Sequence, residues 1–235
     1  MDVFKVKEHI PDLLSDTWGM FFQPIVTIFK LIELGKKEKA SRLFFLCGLA
    51  LCVAMLTSPN IEDGVSISLV PFFQLVVIEL IAILSLIFPA TLFLGRKEMS
   101  DVANVTVAAF AISALQLILN SFLWSFSNGL SLFFYPELVL DVTEAKSLFL
   151  DHELFATYVE GFDYQNNIGY LLIFGFTFII DLVISFSCYF AFWLALLNLY
   201  PDIKGRFFRI LVGCYFLHLI IFYLFTPVVM YLYLR

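Results

Sequence analysis

The chain has 235 residues, of which 61% are hydrophobic and only 14% charged, and its mean hydropathy is +0.94. A water-soluble domain needs far more polar surface to cover its core, so the composition points to a polytopic membrane protein. The formal charge of −6 argues against nucleic acid as a partner.

The first fifteen residues carry Asp2, Lys5, Lys7, Glu8 and Asp12 before any long apolar stretch. That is unlike a cleavable signal peptide, so the first span is expected to act as an uncleaved anchor. Over 12–34, Leu14, Trp18, Phe21, Phe22, Ile25, Ile28, Phe29 and Ile32 recur at helical spacing. Asp16 is a candidate cap for the start of this helix, and Pro24 bends it or divides it in two. Gly35 and then Lys36, Lys37 and Lys39 close it. An aromatic-rich apolar face with a basic end suits an amphipathic helix lying in the cytoplasmic interface. A helix docked under the bundle is the competing arrangement.

Five apolar runs follow, over about 40–58, 65–94, 102–126, 167–199 and 207–234, each long enough to cross a bilayer. Pro71 and Pro89 are expected to bend the second, freeing carbonyls that neighbours must satisfy. Ser127-Asn128-Gly129 is expected to end or kink the third. The expected fold class is all-α: a five-span transmembrane helix bundle over 40–235, with residues 1–39 as a cytoplasmic N-terminal segment.

The basic residues give an orientation. Lys5, Lys7, Lys30, Lys36, Lys37, Lys39 and Arg42 precede or open the first span. Arg96 and Lys97 follow the second, and Lys204, Arg206 and Arg209 follow the fourth. In a five-span protein these share one side, leaving only Lys146 and Arg235 on the other. The asymmetry predicts a cytoplasmic N-terminus and an outer C-terminus. The outer side is acidic, with Glu62 and Asp63 in the first loop. Glu137, Asp141, Glu144, Asp151, Glu153, Glu160 and Asp163 follow in the second, where 143–160 is compatible with a short amphipathic helix. The expected location is the inner (cytoplasmic) membrane of a bacterium.

Ionisable groups at the bilayer centre are costly, on the order of 3 kcal/mol by insertion scales, and usually face a bundle interior. Glu79, Gln116, Asp181 and His218 each lie within two or three residues of a span midpoint, on the order of 3 Å along the helix axis. Small and polar residues form stripes on two spans: Thr106, Ala109, Ser113, Gln116 and Asn120, and Thr177, Asp181, Ser185 and Cys188. Such stripes mark the side that meets other helices. Two readings of the four midplane residues stand side by side. One is a proton or cation site in a small transporter, and the other is a hydrogen-bond cluster that fixes helix register.

Enzyme motifs are absent: there is no H-E-x-x-H, G-x-S-x-G or Walker loop. His9, His152 and His218 fall in different compartments of the five-span arrangement, so no metal site is expected, and no cofactor either. Cys47, Cys52, Cys188 and Cys214 all lie in apolar runs and read as small interface residues. Trp18, Trp124, Tyr135, Trp193, Tyr200 and Tyr233 cluster near span ends, as in an aromatic belt.

Three local patterns carry a resemblance. The first is Trp18 and Phe22-Gln23-Pro24, with Phe29 five residues after Pro24. The second is Phe93-Leu94-Gly95-Arg96-Lys97 followed by a run over 102–119 rich in small residues. The third is the stretch from Trp193 to Asn198, a short basic loop and a final apolar span. In this order the parts resemble the Yip-domain family of polytopic membrane proteins, which has broad bacterial relatives. The long acidic outer segment departs from that family's compact pattern. The resemblance implies a non-enzymatic protein acting through protein or lipid interactions, with membrane lipids and either a protein partner or a second copy as its partners. Two other classes share the composition: the small ion-coupled transporter, and an immunity-type protein guarding the membrane against a pore-forming toxin.

Overall fold

The computed structural model describes residues 3–57, 69–95, 98–138, 153, 154, 157, 161–163 and 167–234. All regular structure among them is helical. In chain order the helices are α1 (Val3–Phe22), α2 (Pro24–Glu33), α3 (Lys36–Leu56), α4 (Leu69–Leu94), α5 (Met99–Phe134), α6 (Ile168–Leu199) and α7 (Phe207–Leu234). Short 3-10 turns occupy Pro136–Leu138 and Pro201–Arg206. Four of these helices contain a stretch long and apolar enough to cross a membrane: Lys36–Leu56, Leu75–Leu94, Met99–Phe134 and Ile168–Leu199. The protein is therefore an all-α membrane protein.

Local chemistry sets most of the boundaries. Pro24 divides the N-terminal segment as expected. It opens α2, where a missing N–H leaves no bond unmade. Lys39 Nζ donates to the Ile32 carbonyl at 2.5 Å and so satisfies an end group of α2. Gly95, with φ +64, follows the last residue of α4, in the left-handed conformation that glycine adopts without strain.

The third apolar run departs from its predicted bounds of 102–126. Helix α5 starts at Met99 and runs without interruption through Ser127-Asn128-Gly129 to Phe134. The turn-forming residues do not end it because their neighbours are used by the bundle. Ser127 and Ser131 are buried, and Ser127 Oγ accepts from Thr177 Oγ1 of α6 at 2.8 Å. The first span likewise begins four residues earlier than 40, at Lys36. The predicted outer helix over 143–160 and the loop bearing Glu62 and Asp63 lie outside the described residues, apart from Glu153, Leu154 and Thr157.

Helix α5 is the axis of the molecule. It packs against α1, α2, α3, α4 and α6, while α7 packs on α4. Its inner faces are small: Ala108, Ala109 and Ala111 have no exposed surface. Small residues let helix backbones approach closely, which is how helices associate where lipid is as apolar as leucine. The outward faces of α4 and α6 carry Leu84, Phe88, Phe178, Ile179 and Phe186, all exposed and apolar. Such surfaces suit lipid contact.

The N-terminal hairpin joins the same core. Met20, Ile28 and Leu31 are fully buried and belong to one apolar cluster with Leu46, Val105, Ile112 and Trp193. The turn is tight: a Cβ on Gly19 would lie 2.5 Å from Thr27 Oγ1. The opposite face of α1 keeps Leu14, Trp18 and Phe22 exposed at i, i+4 and i+8, with Trp18 68% exposed. Helix α1 thus packs on the core by one face and leaves an apolar face outward.

The aromatic-belt expectation is corrected at two positions. Trp193 has 0% exposure and Tyr200 is buried. The reason is tertiary: α2 packs on α6, and the Pro201–Arg206 turn packs on α6 and α7, covering the end that the sequence leaves open.

Candidate functional site

The four midplane residues fall into different helix contacts. His218 of α7 meets α4 at Pro89, where the chain lacks one backbone N–H and the Ser85 carbonyl loses its helical donor. The His218 ring lies against the Ser85 backbone and holds Nδ1 2.8 Å from Ser85 Oγ. Ser85 Oγ also lies 2.6 Å from the Ala82 carbonyl, to which it donates. Cys214, one turn earlier on α7, donates from Sγ to the Pro89 carbonyl at 3.5 Å. A histidine thus packs beside the residue whose carbonyl the proline frees.

Gln116 serves the next pair. Its Nε2 donates to Ser185 Oγ at 3.1 Å and ties α5 to α6. Asp181 sits one turn, about 6 Å, from Ser185 along α6, where its carboxylate meets the Trp124 indole. Its Oδ1 has no hydrogen-bond partner among the described residues. The α6 stripe Thr177–Asp181–Ser185 therefore faces α5, as its spacing predicts, through Ser127, Trp124 and Gln116 in turn.

Glu79 stands apart from the other three. It lines an open cavity of about 340 Å³ whose walls are α3 and α4 and whose floor is α5. Phe44, Cys47, Gly48 and Leu51 come from α3, Val76 and Leu80 from α4, and Phe110, Ser113 and Ala114 from α5. Cys47 lines the same groove as Glu79. A second, smaller cavity of about 270 Å³ between α5 and α6 has no ionisable group in its lining. Glu79 is thus a carboxyl group in an apolar lateral groove, and no hydrogen bond to another described residue satisfies it.

The structure also contains an ion cluster that the sequence reading did not assemble. Arg42, 7% exposed at the foot of α3, reaches three acids: Nη1 to Asp16 at 2.5 Å, and Nη2 to Glu38 at 2.6 Å and to Asp12 at 3.2 Å. Lys30 Nζ of α2 donates to the other Asp16 oxygen at 2.6 Å. Asp16 is therefore not a helix cap; it lies well inside α1, buried, and joins α1 to both α2 and α3. The i, i+4 spacings of Asp12–Asp16 and Glu38–Arg42 were visible in the sequence. The contact between the two pairs depends on the hairpin folding back.

These placements give the polar residues distinct duties. Replacing His218 with Leu should destabilise the protein by about 1 kcal/mol, since Ser85 loses a partner at a proline break. His218→Gln should recover most of that loss. Thermal unfolding in detergent checks both, and equal stability of the Leu variant and the parent would leave the ring without its bracing role. Among the described residues no group of three or more His, Cys, Asp or Glu could hold a metal ion. No family model, curated protein or solved structure matches this chain.

Proposed function

We propose that the chain is a non-enzymatic integral membrane protein that acts by binding other molecules within the bilayer, the type of role to which the Yip-domain resemblance points. The observation that carries this reading is the Glu79 groove, an open apolar surface with one carboxyl group in its lining. Three of the four midplane residues are occupied in bracing helix pairs. Glu79 alone faces a space that another molecule can enter.

In this reading α7, helical over 28 residues, supplies a fifth span. The N-terminus and the Arg42 cluster lie on the cytoplasmic side of the inner membrane, and the C-terminus lies outside. The Leu14, Trp18 and Phe22 face of α1 then rests among headgroups on that side, where amphipathic aromatic surfaces partition well.

A photo-crosslinker at Phe44, at the exposed rim of the groove, tests the reading in native membranes. Discrete protein adducts are expected, and they should vanish when Glu79 is replaced by Leu. The transporter alternative is tested beside it, with purified protein in liposomes. A proton or cation flux that depends on Glu79 would overturn the interaction reading.

A further inference from the structure

The partner of the groove can be narrowed by depth and charge. Glu79 lies within about 4 Å of the midpoint of Leu69–Leu94 along the helix axis. With that helix centred in a hydrocarbon layer of about 30 Å, lipid headgroups lie about 15 Å from the midplane. Their amines do not reach the carboxyl group, and acyl chains offer it no hydrogen bond. A second copy of this chain does not answer the charge either. The sequence has no Lys or Arg over 43–95, 98–145, 147–203 or 210–234, so none of its apolar helices carries one at that depth. His218 is already engaged at Ser85.

We infer that the groove is a docking site for a transmembrane helix of a different protein, one that carries a lysine or arginine near its own midpoint. The proposal rests on the interaction reading above and names its partner class. The walls suit a helix. On α3, Gly48 presents bare backbone to the groove, and a Cβ added there would meet nothing within 4 Å. On the floor, Ser113 and Ala114 are small. Close approach of two backbones over small residues, closed by a pair of opposite charges, is a physically sound way to join helices in lipid.

The test uses full-length protein in liposomes with synthetic leucine–alanine helices of about 21 residues that carry either lysine or leucine at the centre. Association is read by energy transfer between labels on the protein and the peptide. The lysine peptide should bind about tenfold more tightly than the leucine peptide, and the preference should vanish in E79Q. G48L, which the open space beside Gly48 allows to fold, should weaken binding of the lysine peptide by at least as much. Equal binding of the two peptides to the parent, failure of both to bind, or a preference that survives E79Q would overturn the proposal. So would energy transfer between two labelled copies of this chain that is lost in E79Q, since the groove would then belong to a second copy. If both peptides bind equally and G48L blocks both, the groove still docks helices. In that case the interaction reading stands while the basic partner is refuted.

Discussion

Replacing Arg42 with Met is expected to lower the stability of the protein by about 3 to 5 kcal/mol, the range for a buried ion pair that loses one partner. The guanidinium faces three carboxylates, and Asp16, the innermost, is buried. Without Arg42, Asp16 keeps only Lys30, whose side chain is 48% exposed. The more exposed Asp12 and Glu38 can turn to water, so the loss falls mainly on Asp16. Unfolding in detergent of the Arg42→Met, Asp16→Leu and double variants separates the terms. The double variant should be more stable than Arg42→Met alone, because it leaves no carboxylate buried without its guanidinium. If Arg42→Met unfolds with the parent, the cluster does not anchor the hairpin. Because the cluster links α1 and α2 to α3, the same variant should also expose α1 to protease before the bundle unfolds.

Trp193→Ala should cost a similar amount, about 3 to 5 kcal/mol, as expected when a large aromatic leaves a cavity in a packed core. The indole has no exposed surface, and its neighbours Phe192 and Tyr189 meet it edge to face at ring distances of 5.6 and 6.3 Å. A tryptophan of the aromatic belt would behave differently. Its ring would face headgroups, and truncation would leave no cavity. Trp18, exposed on α1, provides the internal comparison: Trp18→Ala should change unfolding stability far less than Trp193→Ala. A loss below about 1 kcal/mol for Trp193→Ala would show that the site collapses or is hydrated.

These two residues show where the sequence stops being legible. Apolar runs of spanning length announce helices because the bilayer satisfies no backbone groups, so helix existence follows from composition alone. Pro24 and Gly95 mark breaks through their own stereochemistry. The α6 stripe Thr177–Asp181–Ser185 was legible because 3.6 residues per turn places those side chains on one face. Trp193 was read as a belt residue because its place near a span end is all that a sequence offers. Its burial depends on α2, some 160 residues earlier, folding back onto α6. Asp16 was read as a cap for the same reason, since its true partners, Lys30 and Arg42, are brought near only by the hairpin.

The midplane residues divide along the same line. Counting residues from each span midpoint gives an expected depth, because rise per residue is fixed, but depth does not give azimuth. Glu79 faces α3, whereas His218 and Ser85 meet on the seam of α4 with α7. Ser85 was invisible as a partner because serine is common in membrane helices. The signal that would have found it is Pro89, four residues on, which leaves the Ser85 carbonyl in need of a donor.

The length of α5 has a mechanical consequence. Thirty-six residues make a rod of about 54 Å, far more than a hydrocarbon layer of about 30 Å, and even a tilt of 40° leaves about 41 Å along the membrane normal. Helix α6, pinned beside it by Gln116–Ser185 and Thr177–Ser127, cannot slide past it to relieve the mismatch. The two therefore lean as one lever when the bilayer thins or thickens. Because α2 packs on both, the lever carries the N-terminal hairpin with it, and bilayer thickness is written into the attitude of that hairpin.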